Sequence, residues 1–142
     1  MSGGRGADPF GLKRFLDAQR DVYEQALAEL RAGCKRTHWM WFVFPQMEGL
    51  GFSETSRYYG IGTREEAAAY LAHPVLGPRL VQCAEALLDL EGRSAAQVFG
   101  YPDDLKLKSC LTLFANVAGA QSVFLQVLEG GRVAVKEQIP GA

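Results

Sequence analysis

Residues 38–46 read HWMWFVFPQ, and they place large rings beside hydrogen-bonding groups in one short block. Both tryptophans of the chain and one of its two histidines lie in this aromatic block. Such crowding is typical of a dense core or of the wall of a ligand pocket, and the residues alone do not separate these roles. Periodicity does not distinguish a short buried helix from a strand here, but the neighbouring patterns favour a helix that Pro45 ends.

The segment before the aromatic block has the pattern of one amphipathic helix. Asp8 is a capping residue, and Pro9 follows it at the helical position that tolerates proline. Gly33 supplies the left-handed residue that commonly ends a helix. Apolar residues recur between these ends at helical spacings: Leu12, Phe15, Leu16, Val22, Tyr23, Ala26, Leu27 and Leu30.

The segment after the aromatic block combines an irregular stretch with further helices. Glycines punctuate residues 49–62, where Ser53 is expected to cap a short turn. Thr63 and Glu66 have the spacing of a capping box, and they predict a short helix that His73-Pro74 closes. A further helix is predicted from Pro74 to Gly92, with these residues inward: Leu76, Leu80, Val81, Ala84, Leu87 and Leu88. Ser94 and Gln97 form a second capping box, and the helix that starts at Pro102 should bury Leu107, Cys110, Leu111, Phe114 and Val117. A last helix is predicted from Gln121 and ends before Gly130.

These patterns predict an all-α fold in one domain. The length of 142 residues is near the commonest domain size and supports one hydrophobic core. We expect a compact single-domain helical bundle of about five to seven helices. The domain is predicted to span residues 8–130, with flexible termini at residues 1–7 and 131–142.

Charge and cysteine usage argue against several kinds of partner and site. The formal net charge of −1 gives no overall field that attracts nucleic acid, so nucleic-acid binding is not expected. Cys34, Cys83 and Cys110 are far apart and odd in number, which favours reduced thiols in a cytoplasm and no zinc site. Neither a signal peptide nor a membrane span is recognised, so no membrane partner is expected. No metal and no cofactor are predicted.

Four residues of the aromatic block are candidate ligand contacts, each with a structural alternative. His38 titrates near neutrality and could act as a general base, but a packed histidine at a helix start also explains it. Trp39 and Trp41 could stack on a flat ligand, although at least half of the rings are expected in the core, because rings around one short helix cannot all face one cavity. Gln46 could contact a ligand edge or fasten the loop after Pro45.

Four further candidates lie outside the aromatic block. Ser53 and Tyr58 follow a glycine-rich turn and could approach a phosphate, but that turn lacks the length and strand context of a nucleotide-binding fingerprint. Lys106 and Ser109 share a helical face with Asp103 and could line one cleft. A surface ion pair beside the helix cap explains that face about as well.

Several longer motifs follow one another along the chain. They are residues 37–46 (THWMWFVFPQ), 49–51 (GLG), 70–77 (YLAHPVLG), 99–100 (FG), 104–109 (DLKLKS) and 112–114 (TLF). In this order they resemble the bacterial and fungal family called domain of unknown function 1810, with coverage from about Pro9 to Leu128. The resemblance implies a compact all-helical single domain, and it transfers no activity, cofactor or catalytic residue. Two departures are Cys110-Leu111, where the family usually shows serine and methionine, and the tail after Leu128, which lacks the family's ending.

Two functions from different classes fit these observations. The first is a cytosolic small-molecule binding module for a nucleotide-like or other planar ligand, with a pocket walled by the aromatic block; whether it is also an enzyme stays open. The alternative is a helical protein-interaction or homodimerisation module without catalytic activity. A monomer or a weak homodimer is expected. A third hypothesis, nucleic-acid binding, requires four cations to converge on one side: Lys35, Arg36, Lys106 and Lys108.

Overall fold

The computed structural model describes residues 8–49, 53–90, 92–119 and 121–129. Within these ranges the chain is all-α, as predicted, with one isolated parallel bridge between Met47 and Ile61 in place of a sheet. The helices are α1 (Lys13–Gln19), α2 (Tyr23–Ala32), α3 (Met40–Val43), α4 (Glu54–Tyr58), α5 (Arg64–Ala72), α6 (Leu76–Leu88), α7 (Ala95–Phe99), α8 (Asp103–Ala118) and α9 (residues 123–129).

The described part of the chain has nine helices, which is more than the predicted five to seven. Three of them, α3, α4 and α7, have only four or five residues, and elements this short carry little periodic signal. The two termini predicted to be flexible, residues 1–7 and 131–142, lie outside the described residues.

The single helix predicted from Asp8 to Gly33 is wrong, because the chain breaks between α1 and α2. Asp8 does cap, but its carboxylate accepts from the amides of Leu12 at 2.7 Å and Lys13 at 3.0 Å, so the helix begins later. A straight helix over the whole stretch would be about 39 Å long, on the order of the domain's diameter. The break lets α1 pack against α3 while α2 packs against α6. Gly33 ends α2 in the left-handed conformation, as predicted.

Aromatic rings from four helices form the centre of the core. Phe15 of α1 meets Tyr70 of α5 edge to face, with ring centroids 5.0 Å apart. Tyr70 in turn lies 5.4 Å from Phe114 of α8, which lies 5.9 Å from Phe124 of α9. All four side chains are fully buried, so this row of contacting rings connects the first and last described helices.

The predicted cap of α5 is half correct. The Thr63 hydroxyl accepts from the Glu66 amide at 3.0 Å. The Glu66 carboxylate, however, accepts from Gly62 at 2.9 Å and pairs with Arg14 at 2.7 Å instead of returning to the Thr63 amide. Arg14 also donates to the carbonyl of Gly60, so this pair ties α1 to the segment that precedes α5. The long-range partner outcompetes the local one because a guanidinium offers a charge-assisted bond.

The junction between α5 and α6 is tight. His73 ends α5, and its Nδ1 accepts from the amides of Val75 and Leu76, which fixes the imidazole in a structural role. A Cβ atom at Gly77 would lie 2.0 Å from the carbonyl oxygen of Leu71, so only glycine fits there. Helix α6 ends at Leu88, before the predicted Gly92, and Leu88 is exposed where it was predicted inward.

Helix α8 begins at Asp103, as predicted, and runs through the domain. Its residues Leu107, Cys110, Leu111 and Phe114 are buried, while Val117 is half-buried. Ahead of it, Ser94 and Gln97 form the predicted capping box of α7. Helix α8 contacts α3, α5 and α7, and it therefore passes beside the aromatic block.

Candidate functional site

The aromatic block divides between core and surface. Its helix α3 ends at Val43 ahead of Pro45, as the sequence predicts. Trp39 and Phe44 are fully buried, whereas Trp41 is half-buried and His38 is exposed. The expectation that many of these rings belong to the core is met by Trp39 and Phe44. Trp41 is the tryptophan that remains accessible to a ligand.

Trp39 is anchored by a buried carboxylate from α2. Its indole Nε1 donates to Glu29 Oε1 at 2.9 Å. Glu29 is only 4% exposed, and it also accepts from Gln25, from the amide of Arg36, and from both the amide and the hydroxyl of Thr37. Burial alone would raise the pKa of Glu29, but these donors outweigh it and lower the pKa to about 2. Glu29 therefore stays ionised and holds the start of the aromatic block.

Trp41 meets Lys106 of α8. The Lys106 ammonium lies over the indole, 3.9 Å from the ring centroid. An ammonium at this distance is attracted by the electron-rich face of the ring. Two stretches remote in the sequence, the aromatic block and α8, thus converge on one partly exposed contact.

Asp103 links this contact to a second lysine. Its Oδ1 lies 3.2 Å from Lys106 Nζ, and its Oδ2 lies 2.9 Å from Lys35 Nζ. Lys35 in turn lies 5.1 Å from the centroid of Trp39. The side chains of Lys35, Asp103 and Lys106 are 9%, 19% and 21% exposed, so the group is partly shielded from water. We call these three residues and Trp41 the Trp41 face.

The structure does not bring Ser53, Tyr58 or Gln46 onto the Trp41 face by any hydrogen bond, ion pair or ring contact between described residues. Ser53 caps α4 through a hydrogen bond from the Ser56 amide. Tyr58 is exposed, and its ring packs on Tyr59. Gln46 is buried, and its backbone carbonyl accepts a hydrogen bond from the Ile61 amide beside the Met47–Ile61 bridge.

His38 and Ser109 lie close in sequence to the Trp41 face. His38 precedes α3, three residues before Trp41, and is exposed. Ser109 follows Lys106 by one helical turn and is half-buried. Within the described ranges, no side-chain hydrogen bond joins His38, Lys106 or Ser109 to another of the three. These three residues therefore do not form a hydrogen-bonded pair of general base and nucleophile.

Two important residues were missed as site components. Glu29 shares a helical stripe with Val22 and Ala26, and a charge on this inward face is the sequence signal that points to it. The sequence suggests Lys35 only for nucleic-acid binding, because its partner Asp103 lies far along the chain and no local pattern reports the link. The remaining lysine-to-acid link, Lys106 to Asp103, is the predicted ion pair at helical spacing.

A shallow cavity lies elsewhere, between α2 and α6. Its volume is about 250 Å³, and it is lined by Arg31, Gln82, Glu85, Ala86, Asp89 and Leu90. Small-molecule pockets usually have about 300–1,000 Å³ and aromatic walls. Because this cavity is smaller and has no aromatic lining, we place the candidate site at the Trp41 face.

Thiol and metal chemistry find little support in the described residues. Burial raises the pKa of Cys83 to about 12 and that of Cys110 well above its usual value, so neither thiol is an activated nucleophile. No group of three or more potential metal ligands occurs among the described residues.

No helix in the described part of the chain has the length and apolar character needed to cross a membrane.

Comparisons with other proteins identify relatives of this fold. Residues 9–133 match the family described as "Protein of unknown function (DUF1810)". The chain shares 54% sequence identity with the conserved hypothetical protein Rv1873 from Mycobacterium tuberculosis, and its structure superposes on the crystal structure of that protein with a TM-score of 0.85. That match covers 87% of this chain and 88% of the other. No curated protein matches the chain.

Proposed function

Because this chain belongs to the DUF1810 family, whose description names no activity, we propose from its own geometry that it is a small-molecule binding module whose planar ligand stacks at Trp41. The ligand class is a nucleotide-like or other flat aromatic compound. Trp41 supplies the ring surface, Lys106 supplies charge, and His38 and Ser109 are the polar neighbours within one helical turn of each.

One observation carries this proposal: Trp41 is half-buried and is held against Lys106 of a distant helix. A tryptophan fixed on both its backbone and its ring loses little further freedom when a ligand binds. Stacking of a base on such a ring is worth about 1–3 kcal/mol. The hydrogen bond between the buried Trp39 and Glu29 fixes the same short block two residues ahead of Trp41.

Binding is favoured over catalysis by the arrangement of the polar groups. Lys106 is engaged with Asp103, and the described part of the chain shows no hydrogen bond between a candidate base and a hydroxyl. General acid–base or nucleophilic catalysis needs such a pair within hydrogen-bond reach, directly or through one water. The proposal therefore assigns recognition of a ligand to this site and no reaction.

A thermal-shift screen tests the proposal. The panel contains nucleosides, nucleotides, nicotinamide, NAD and ADP-ribose, each at a saturating concentration. A ligand present at 100 times its Kd adds about 2.7 kcal/mol to the free energy of unfolding. We expect at least one planar compound to raise the Tm of the wild-type protein and of Trp41→Phe, which keeps a ring, but not that of Trp41→Ala. Absence of a shift with every compound would refute the proposal.

The alternative, a protein-interaction or homodimerisation module, is favoured by a different observation. Tyr101, in the turn before α8, is 83% exposed, and Leu105 in the first turn of α8 is 49% exposed. Exposed apolar side chains that lie together can mark an association surface. This alternative predicts a concentration-dependent dimer in light scattering that Leu105→Asp abolishes, and a mass that stays monomeric at high concentration would contradict it.

A further inference from the structure

The Trp41 face contains more positive than negative charge. Asp103 is the one carboxylate among the described residues within ion-pair distance of the Lys35 and Lys106 ammonium groups. The next residue, Asp104, makes no ion pair with either lysine in the same set. Glu29 bonds to Trp39 and is not one of the four residues of the Trp41 face; its oxygens accept from uncharged donors of Gln25, Arg36, Thr37 and Trp39, and it keeps its negative charge. Among the four residues of the Trp41 face, two ammonium groups therefore share one carboxylate.

Lys106 is the ammonium that can meet a ligand. Lys35 is less exposed, and its Nζ donates to the Thr37 carbonyl at 2.7 Å as well as to Asp103 at 2.9 Å. An ammonium has three N–H donors, so Lys35 has about one left. Lys106 contacts Asp103 alone among described acceptors and keeps about two donors beside the Trp41 ring.

We infer that the ligand carries an anionic group, a carboxylate or a phosphate, which binds Lys106 while its planar ring stacks at Trp41. Asp103 is a positioning residue: it holds the Lys106 ammonium beside the indole, and Lys35 holds Asp103 from the other side. Ammonium groups bind anions through charge-assisted hydrogen bonds, which strengthen where water is partly excluded. This inference rests on the proposed function and specifies the ligand class.

Matched ligand pairs test the inference by calorimetry at low salt. Adenosine against adenosine monophosphate measures the effect of a phosphate, and nicotinamide against nicotinate measures that of a carboxylate. We expect the anionic member of at least one pair to bind about tenfold more tightly, a ratio typical of one added charge-assisted contact. Raising the salt to physiological strength should reduce this ratio, because the Debye length shortens to about 8 Å. The affinity of the neutral member should change little.

Two lysine variants separate the contact from general charge. Lys106→Met removes the ammonium and keeps an apolar stem over Trp41, so the preference for the anionic member should fall to about one. Lys108→Met removes an exposed lysine of the same helix, and the preference should persist. Wild-type salt dependence gives a second readout if Lys106→Met does not fold.

The outcomes distinguish this inference from the proposed function. A preference that survives in Lys106→Met, or that salt does not change, would overturn the inference. Equal binding of neutral and anionic members that Trp41→Ala abolishes would also overturn it, while the proposed function would stand. Absence of binding by every ligand would remove both.

Discussion

Glu29 is the buried charge that anchors the aromatic block. It contributes stability because its pKa in the folded protein, about 2, is below the ordinary value of 4.5. The folded state therefore binds this proton less readily than the unfolded state does. The stabilisation is complete above about pH 4.5 and is lost as the pH falls toward about 2.

Replacing Glu29 with glutamine should lower the free energy of unfolding at neutral pH by about 3 kcal/mol. The substituted amide presents N–H groups to the donors of Thr37 and Trp39 and cannot accept from all of them. Urea unfolding from neutral pH to about pH 2 measures the effect, and the difference between wild type and variant should shrink in acid. Glu85→Gln, an exposed control, should cost less than about 0.5 kcal/mol. A variant as stable as wild type at neutral pH would contradict this role.

Helices with strong end signals were predictable from the sequence, whereas the break between α1 and α2 was not predicted. Gly33, Ser94 and Thr63 each act at a helix end through local geometry, and the sequence identifies such ends. The apolar stripe skips from Leu16 to Val22 over a segment that includes Arg20 and Asp21, and the helix breaks at residues 20–22. That break follows from packing α1 and α2 on different partners, which no local pattern contains.

The contact between α5 and α6 depends on the absence of a side chain at Gly77. Gly77→Ala should destabilise the domain by about 3 kcal/mol or more, because its Cβ would overlap the backbone oxygen of Leu71 at 2.0 Å. The Leu71 carbonyl belongs to the backbone of α5, so it cannot move away without shifting that helix. Thermal unfolding followed by circular dichroism provides the measurement. Gly62→Ala is the matched control, since its Cβ would meet nothing nearer than 3.4 Å; equal Tm values for the two variants would show that α5 and α6 are not this close.

At the scale of the whole molecule, the candidate site arises from convergence of distant segments. The sequence places Trp41 and Lys106 in one candidate ligand site, as a stacking ring and as a charge on a helical face. Their contact at 3.9 Å, and the bridge from Asp103 to Lys35, depend on how α8 passes the aromatic block. Burial of Trp39 and exposure of Trp41 likewise follow from tertiary packing, because both residues have the same local pattern.

The most direct test of the central claim observes the two tryptophans together during a ligand titration. The chain has two tryptophans, so a two-dimensional nitrogen–proton correlation NMR spectrum shows two indole N–H signals. The signal that disappears in Trp41→Phe is that of Trp41. Trp39 is an internal control, because its indole is buried and donates to Glu29. With adenosine monophosphate or nicotinate we predict that the Trp41 signal shifts in a saturable way while the Trp39 signal stays in place. If neither signal moves with any compound of the panel, or if Trp39 alone moves, the Trp41 face is not a ligand-binding site.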